Sequence, residues 1–275
     1  MRFALIAVFC AYLVIEPGAA SDSKNPKLDA TLWMQVSAEA KACALQTFGS
    51  ASALLESAMA APFWSACLEQ GATRGIHLMP CPIIVDVDET VLDNSPYQAR
   101  CVLDGASYAP DTWAQWVKEC KAAAIPGAVT FLQNAASHGV TIFYLTNRSS
   151  ELEEATRNNL LQAGFPLATD IDCVLTRNEK PDWTSDKTSR RRLVAATHRV
   201  LFLVGDDLGD FLPKAQRTPA QRRDATRQFA SWWGKKWFML PNPSYGSWER
   251  SLLKSASSKD LSPADLKLKH LDPRR

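Results

Sequence analysis

Ile83-Ile84-Val85-Asp86-Val87-Asp88-Glu89-Thr90-Val91-Leu92-Asp93-Asn94 is the stretch whose reading decides the fold. Its opening residues are apolar and β-branched, with no charge before Asp86, as in a strand buried on both faces of a parallel sheet. The strand ends in carboxylates. Side chains two apart on a strand point the same way, so Asp86 and Asp88 crowd like charges at the sheet's mouth. A shared divalent cation relieves that repulsion most simply. Taken alone, Asp-x-Asp is a weak motif and also fits a strand followed by a polar loop and a helix cap.

Working outward, three more segments fall at comparable places. Leu145-Thr146-Asn147-Arg148 follows a second apolar run, Lys187 stands isolated, and Gly205-Asp206-Asp207-Leu208-Gly209-Asp210 follows a later strand. Between them the pattern alternates: helix over 128–137, strand 140–145, charged helix 150–163, strand 171–175, helix 187–197 and strand 200–204. One more helix precedes a last strand at 237–240. Strands separated by ten to fifteen helical residues imply right-handed crossovers, hence an α/β fold with a Rossmann-like, doubly wound parallel sheet. Ligands of such sheets bind beyond the carboxyl ends of the strands, where all these acidic and hydroxyl residues lie.

Upstream, 29–61 reads as helix with an apolar face of Trp33, Val36, Ala40, Cys43 and Ala44, a helical segment that packs against the core. The interval 95–126 is too long for a simple connection and predicts a small inserted helical cap. Trp113 and Trp116, three apart in that cap, read as packing residues.

The chain has 275 residues, 46% of them hydrophobic and 22% charged, with a formal net charge of +2. It is long enough for one large domain, expected over 21–275, and too mildly charged for a nucleic-acid polymer as partner. Arg190-Arg191-Arg192, a lone basic cluster, reads as a helix surface. In 1–20, Arg2 precedes an apolar run that ends in Gly18-Ala19-Ala20, which predicts a cleaved signal peptide and export to the periplasm or outside, with no stable membrane anchor afterwards. Cys10 lacks the small residues that precede a lipid-modified cysteine. The remaining Cys43, Cys67, Cys81, Cys101, Cys120 and Cys173 permit disulfides in an exported chain without fixing their pairing. No C-x-x-C occurs and the histidines are scattered, so zinc is not expected.

Phosphoryl transfer needs a nucleophile, a general acid, an anion cradle, a cation and a metal site, and the chain offers a candidate for each. Asp86 can attack phosphorus to form an aspartyl-phosphate, and Asp88 can protonate the leaving oxygen and then activate water. Thr146 and Asn147 can hold the phosphoryl oxygens, and Lys187 can neutralise phosphate and nucleophile. Lys180 competes for that role but precedes Pro181 in a loop. Asp206, Asp86 and the carbonyl of Asp88 make an oxygen site for Mg2+, with Asp210 binding through water or steadying Lys187. Tyr97, Tyr245 and Trp248 can stack on an aromatic part of a substrate, or pack their loops.

With these residues in place, the chain resembles the haloacid dehalogenase (HAD) superfamily and, within it, the class C (subfamily IIIB) bacterial acid phosphatases. The resemblance rests on Asp86-Val87-Asp88-Glu89-Thr90, Thr146-Asn147-Arg148, Lys187 and Gly205-Asp206-Asp207-Leu208-Gly209-Asp210-Phe211. It extends to Leu92-Asp93-Asn94-Ser95-Pro96-Tyr97, to Trp33-Met34-Gln35-Val36-Ser37-Ala38-Glu39 and to the segment from Leu240-Pro241-Asn242 through Trp248-Glu249. It implies a secreted, magnesium-dependent acid phosphatase acting on phosphomonoesters, including nucleoside 5'-monophosphates, with Asp86 as nucleophile and Asp88 as acid and base. The chain departs from the family in lacking a lipid-anchored cysteine. A dehalogenase needs neither the second aspartate nor the metal, so Asp88 with Asp206 favours phosphate chemistry. Two alternatives stay open: phosphotransfer to an alcohol, and a catalytically silent storage or binding protein.

Overall fold

The computed structural model describes residues 25–71, 75–213, 218–254 and 262–273; the expected signal segment lies outside them. The helix expected over 29–61 is two helices, α1 (Leu28–Val36) and α2 (Ala38–Ala60). Ser37 between them has extended backbone, and its hydroxyl accepts the Ala40 N–H at 3.0 Å, which starts the second helix afresh. One face of α2, with Ala44, Phe48, Ala51 and Leu55, is buried in the core.

Strand β1 (Pro82–Val85) comes next, buried throughout, and then the cap: β2 (Leu92–Asp93), α3 (Ser95–Leu103), α4 (Pro110–Lys118) and β3 (Ala123–Ala124). Strands β2 and β3 pair antiparallel and close the insertion at its base. The regular part runs α5 (Ala128–Ser137), β4 (Thr141–Ser149), α6 (Glu153–Gln162), β5 (Val174–Arg177), α7 (Thr188–Thr197), β6 (Phe202–Gly205), α8 (Leu208–Phe211), α9 (Pro219–Gln228) and β7 (Trp237–Met239). Helices α10 (Ser247–Lys254) and α11 (Pro263–Leu268), which the sequence pattern did not announce, lie beyond the last strand.

The main sheet has the order β5-β4-β1-β6-β7, all parallel. From β1 the chain proceeds outward through β4 to β5, then returns to β6 on the other side of β1. The reversal opens a crevice beyond the carboxyl end of β1, between the loops that leave β4 and β6. Full burial of each Ile, Leu or Phe in such a core contributes about 1.5–3 kcal/mol, which makes β1 a stiff platform for the acidic turn at its end.

All six cysteines from Cys43 to Cys173 are free. Among the described residues no helix is long and apolar enough to cross a membrane. Two members of the arginine cluster depart from the expected helix surface: Arg190 and Arg191 are fully buried beneath the sheet's mouth, and Arg192 alone is exposed.

Candidate active site

Asp86 continues β1 by one residue, its N–H bonded to the Val204 carbonyl at 2.9 Å. The chain then turns tightly, with the N–H groups of Val91 and Leu92 both on the Val87 carbonyl. Glu89 takes a left-handed backbone here (φ 56°), a conformation that costs a non-glycine residue about 1–2 kcal/mol. Its buried carboxylate offsets this by accepting the Asn94 N–H at 2.8 Å. Burial and the nearby Asp88 charge raise the Glu89 carboxyl well above the usual range.

The turn leaves Asp86 facing a cluster. Lys187, at the N-terminus of α7, donates its ammonium to Asp86 Oδ1 and, at 2.6 Å, to Asp210 Oδ1. Thr90 donates its hydroxyl to Asp86 Oδ2 at 3.2 Å. Asp86, Asp206 and Asp210 each bring a carboxylate oxygen within 4.8 Å of the others. Burial, only partly countered by Lys187, pushes the Asp86 carboxyl up to about 7, and burial beside Asp86 and Asp210 raises Asp206 well above its ordinary value. Three crowded carboxylates against one lysine leave excess negative charge, and the donors are hard oxygens in a compact group. Such a set fits a divalent cation of the magnesium type. Gly205 gives room for this: a side chain there would run into the Asp210 carboxylate.

The Asp88 side chain lies apart from that group. Arg148 grips its Oδ1 with Nη2 at 2.8 Å and Nε at 2.9 Å, and Asn94 Nδ2 donates to the same oxygen at 2.9 Å. Thr146 Oγ1 stands 3.4 Å from Oδ2. Asn94 is itself oriented by the cap, because the Trp116 indole donates to its Oδ1 at 2.8 Å. Trp116 is therefore buried as the spacing suggested, but it also fixes an amide against Asp88.

Opposite the acids, Thr146 is buried and Asn147 is open to the cleft at the end of β4. Lys180 is exposed, its ammonium 4.5 Å from the Trp183 ring, so Lys187 is the lysine placed at the site. The whole cleft, about 1130 Å³, has Asp86, Lys187 and Asp206 on its floor and Lys27, Tyr108, Trp113, Arg148 and Tyr245 among its walls. Tyr97 does not reach it. That side chain is 2% exposed and stacks edge-on behind Trp113, with ring centroids 5.1 Å apart. Trp113 packs against the core and against Tyr97 and Tyr108 as expected, and its half-buried ring also forms part of the cleft wall with the Arg148 guanidinium 5.6 Å from it. Trp248 also stands outside the lining and donates its indole N–H to the Tyr245 carbonyl at 3.1 Å. Tyr245 lines the cleft, with the Lys27 ammonium 6.0 Å from its ring.

Asp207 anchors this wall. Its Oδ2 accepts the Ser247 N–H and its Oδ1 the Ser247 hydroxyl, both at 2.6 Å. Burial alone would raise its carboxyl, but the Ser247 hydroxyl and the Gly209 and Ser247 N–H groups hold it below the ordinary value.

Sequence reasoning did not single out Glu89, Asn94 or Arg148 as site residues beyond their motif positions, nor the buried Arg190 and Arg191 at all. Only the pairing of Glu89 and Asn94, five apart around a turn, carried a usable signal.

The family model for HAD superfamily, subfamily IIIB (acid phosphatase) matches residues 29–248. Among curated relatives, a stem 28 kDa glycoprotein of Glycine max is 24% identical over 59% of this chain and 58% of its own length. Acid phosphatase 1 of Solanum lycopersicum is 27% identical over 59% of this chain and 57% of its own. The chain thus spans less than three fifths of the curated relatives it matches. The class C acid phosphatase from Bacillus anthracis with tungstate bound superposes with a TM-score of 0.77 at 31% identity, over 90% of this chain and 98% of that one. The match to the family model covers sheet, cap and every residue of the acidic cluster, and the chain belongs to the HAD superfamily, subfamily IIIB, the acid phosphatases.

Proposed function

We propose that this protein is a magnesium-dependent acid phosphatase that hydrolyses phosphomonoesters, nucleoside 5'-monophosphates among them, through a phosphoryl group carried on Asp86. The observation that carries this reading is the Asp86 carboxylate held by Lys187 at the floor of the cleft, with Asp206 and Asp210 beside it. Lys187 orients one oxygen of Asp86 and Thr90 the other, which fixes the carboxylate for in-line attack on phosphorus. Asn147 lines the cleft and Thr146 is buried behind it; in this reading both would donate to the phosphoryl oxygens. Asp88, held at the cap side by Arg148 and Asn94, delivers a proton to the leaving oxygen and takes one from water in the second step. Asp86, Asp206 and the Asp88 carbonyl would hold Mg2+, with Asp210 steadying Lys187; the ion, when bound, offsets the charge of phosphate and carboxylates. Phosphate release from p-nitrophenyl phosphate and AMP, with Mg2+ and after EDTA, tests the reading directly. Release that depends on the metal supports it, and a folded, Mg2+-loaded protein that releases none overturns it.

The ion's effect on stability has a definite sign. Carboxyls raised by burial keep their protons in the fold more readily than in the unfolded chain, so the metal-free protein loses stability as pH rises from 3.8, the ordinary Asp value, to about 7, the value Asp86 takes in the fold. Mg2+ competes with those protons. Its stabilisation of the fold, read as the rise in melting temperature, is expected to be small at pH 5 and to grow toward pH 8. A larger rise at pH 5 contradicts this arrangement.

For nucleotides, Tyr245 offers a ring on the cleft wall, and Tyr108 and Trp113 face the cleft from the cap. Tyr245→Ala is expected to raise KM for AMP about tenfold, the worth of one stacked base, with little change for a small aliphatic phosphate. Equal changes for both would remove the stacking role. Export to the periplasm or beyond belongs to the same proposal and rests on the signal-like 1–20 segment.

A further inference from the structure

Arg190 and Arg191 are consecutive, wholly buried and one helical turn beyond Lys187, yet neither touches the cleft floor. Successive helix residues project about 100° apart, so the two guanidiniums leave α7 in different directions. Arg190 donates through Nη1 to the carbonyls of Thr146 and Leu175, the latter at 3.3 Å. Its Nη2 donates to the Thr184 carbonyl and to Asn147 Oδ1, both at 2.9 Å. It thus ties together the ends of β4 and β5 and the loop before α7. A guanidinium has only donors, so the amide atom facing it is the oxygen, and Asn147 must turn its NH2 the other way. Asn147 lines the cleft, so its orientation is that of a donor to an anion.

Arg191 serves the other wall. Its Nη1 donates to the carbonyls of Gly209 and Asp210 at 3.1 and 3.0 Å, holding the turn that carries the acidic cluster. Its Nε and Nη2 are fixed by Glu69 Oε1 at 3.0 and 2.6 Å, a residue of the segment before β1 and remote from the cleft. Burial pulls the Arg190 group down to about 10, leaving it charged at neutral pH.

We propose that Arg190 and Arg191 are positioning residues with divided roles: Arg190 sets the phosphate-binding donors Thr146 and Asn147, and Arg191 sets the Asp206–Asp210 turn that receives the metal. This rests on the phosphatase reading above. The test is calorimetric, with Mg2+ titrated into the metal-free protein and inorganic phosphate into protein saturated with Mg2+. Lysine at either position keeps the charge and loses the fork. Arg190→Lys is expected to weaken phosphate by about 10- to 100-fold with Mg2+ affinity unchanged, and Arg191→Lys to weaken Mg2+ by a similar factor with phosphate unchanged. Both variants shifting both constants alike, or shifting melting temperature alone, overturns the division. Where a lysine variant does not fold, Asn147→Asp and Glu69→Ala decide, since both keep the arginines. Asn147→Asp retains the oxygen for Arg190 and replaces the donor, so it is expected to weaken phosphate more than Asn147→Ala, and Glu69→Ala to weaken Mg2+ only. Equal effects of the Asn147 variants with Mg2+ affinity unmoved by Glu69→Ala overturn it. Wild-type protein that binds neither probe overturns the phosphatase reading itself and the division with it.

Discussion

Asp86→Asn is expected to lower kcat by on the order of 10^4- to 10^6-fold, the scale on which removing a catalytic nucleophile acts. An amide of the same shape cannot attack phosphorus, while Lys187 and Thr90 keep a polar neighbour of unchanged size. The effect on stability has the opposite sign. Burial raises the Asp86 carboxyl from 3.8 to about 7, so its ionised form is disfavoured in the metal-free fold. The folded state then binds more protons than the unfolded one between those values, and wild type loses stability as pH climbs through that window. Asparagine has no such proton. In EDTA, the variant is expected to melt at or above the wild-type temperature at pH 8, with the gap closing toward pH 4. A variant that is both inactive and markedly less stable at pH 8 would mean that Asp86 is chiefly a structural partner of Lys187.

Lys187→Met should do the reverse. The lysine is 3% exposed and ion-paired to both Asp86 and Asp210, and although burial works against its charge, those two carboxylates raise its pKa. Removing it strands two buried carboxylates, and breaking a buried pair from one side costs about 3–5 kcal/mol. That loss is expected in full at pH 8 without metal. It shrinks at pH 5, where the carboxylates take up protons, and Mg2+ restores part of it. Turnover is expected to fall by on the order of 10^3-fold, since the phosphoryl group and the nucleophile lose their shared cation. Thermal denaturation at both pH values with and without Mg2+, beside initial rates on p-nitrophenyl phosphate, checks each part. Undiminished stability at pH 8 would show that the lysine does not hold the acids together.

The two acids on the floor of the site, Asp86 and Asp206, were legible because each comes directly after a buried apolar strand. A charge that ends a buried run has few places to go, and Asp86 and Asp206 both line the cleft at the sheet's open edge, whereas Thr146 lies buried within β4. The supporting layer was not legible. Three successive arginines look like a solvated surface, since such side chains are seldom fully buried. Arg190 and Arg191 are buried because carbonyls of Thr146, Leu175, Gly209 and Asp210 accept from them, a demand set by strands and turns distant in sequence. The division of the first helix at Ser37 was similarly hidden, with no glycine or proline to mark it. Trp113 and Trp116 share a helical spacing but divide their tasks, one on the cleft wall and one on Asn94, because the cap folds over a polar turn that periodicity does not describe.

The central claim is that phosphorus is attacked by Asp86 and only afterwards by water. The stereochemical course at phosphorus tests this most directly, using a chiral, oxygen-isotope-labelled phosphorothioate monoester hydrolysed in isotopically labelled water. Two successive in-line displacements give retention of configuration, the result expected here. Inversion would mean a single direct attack by water, and Asp86 could then be a metal ligand but not the nucleophile.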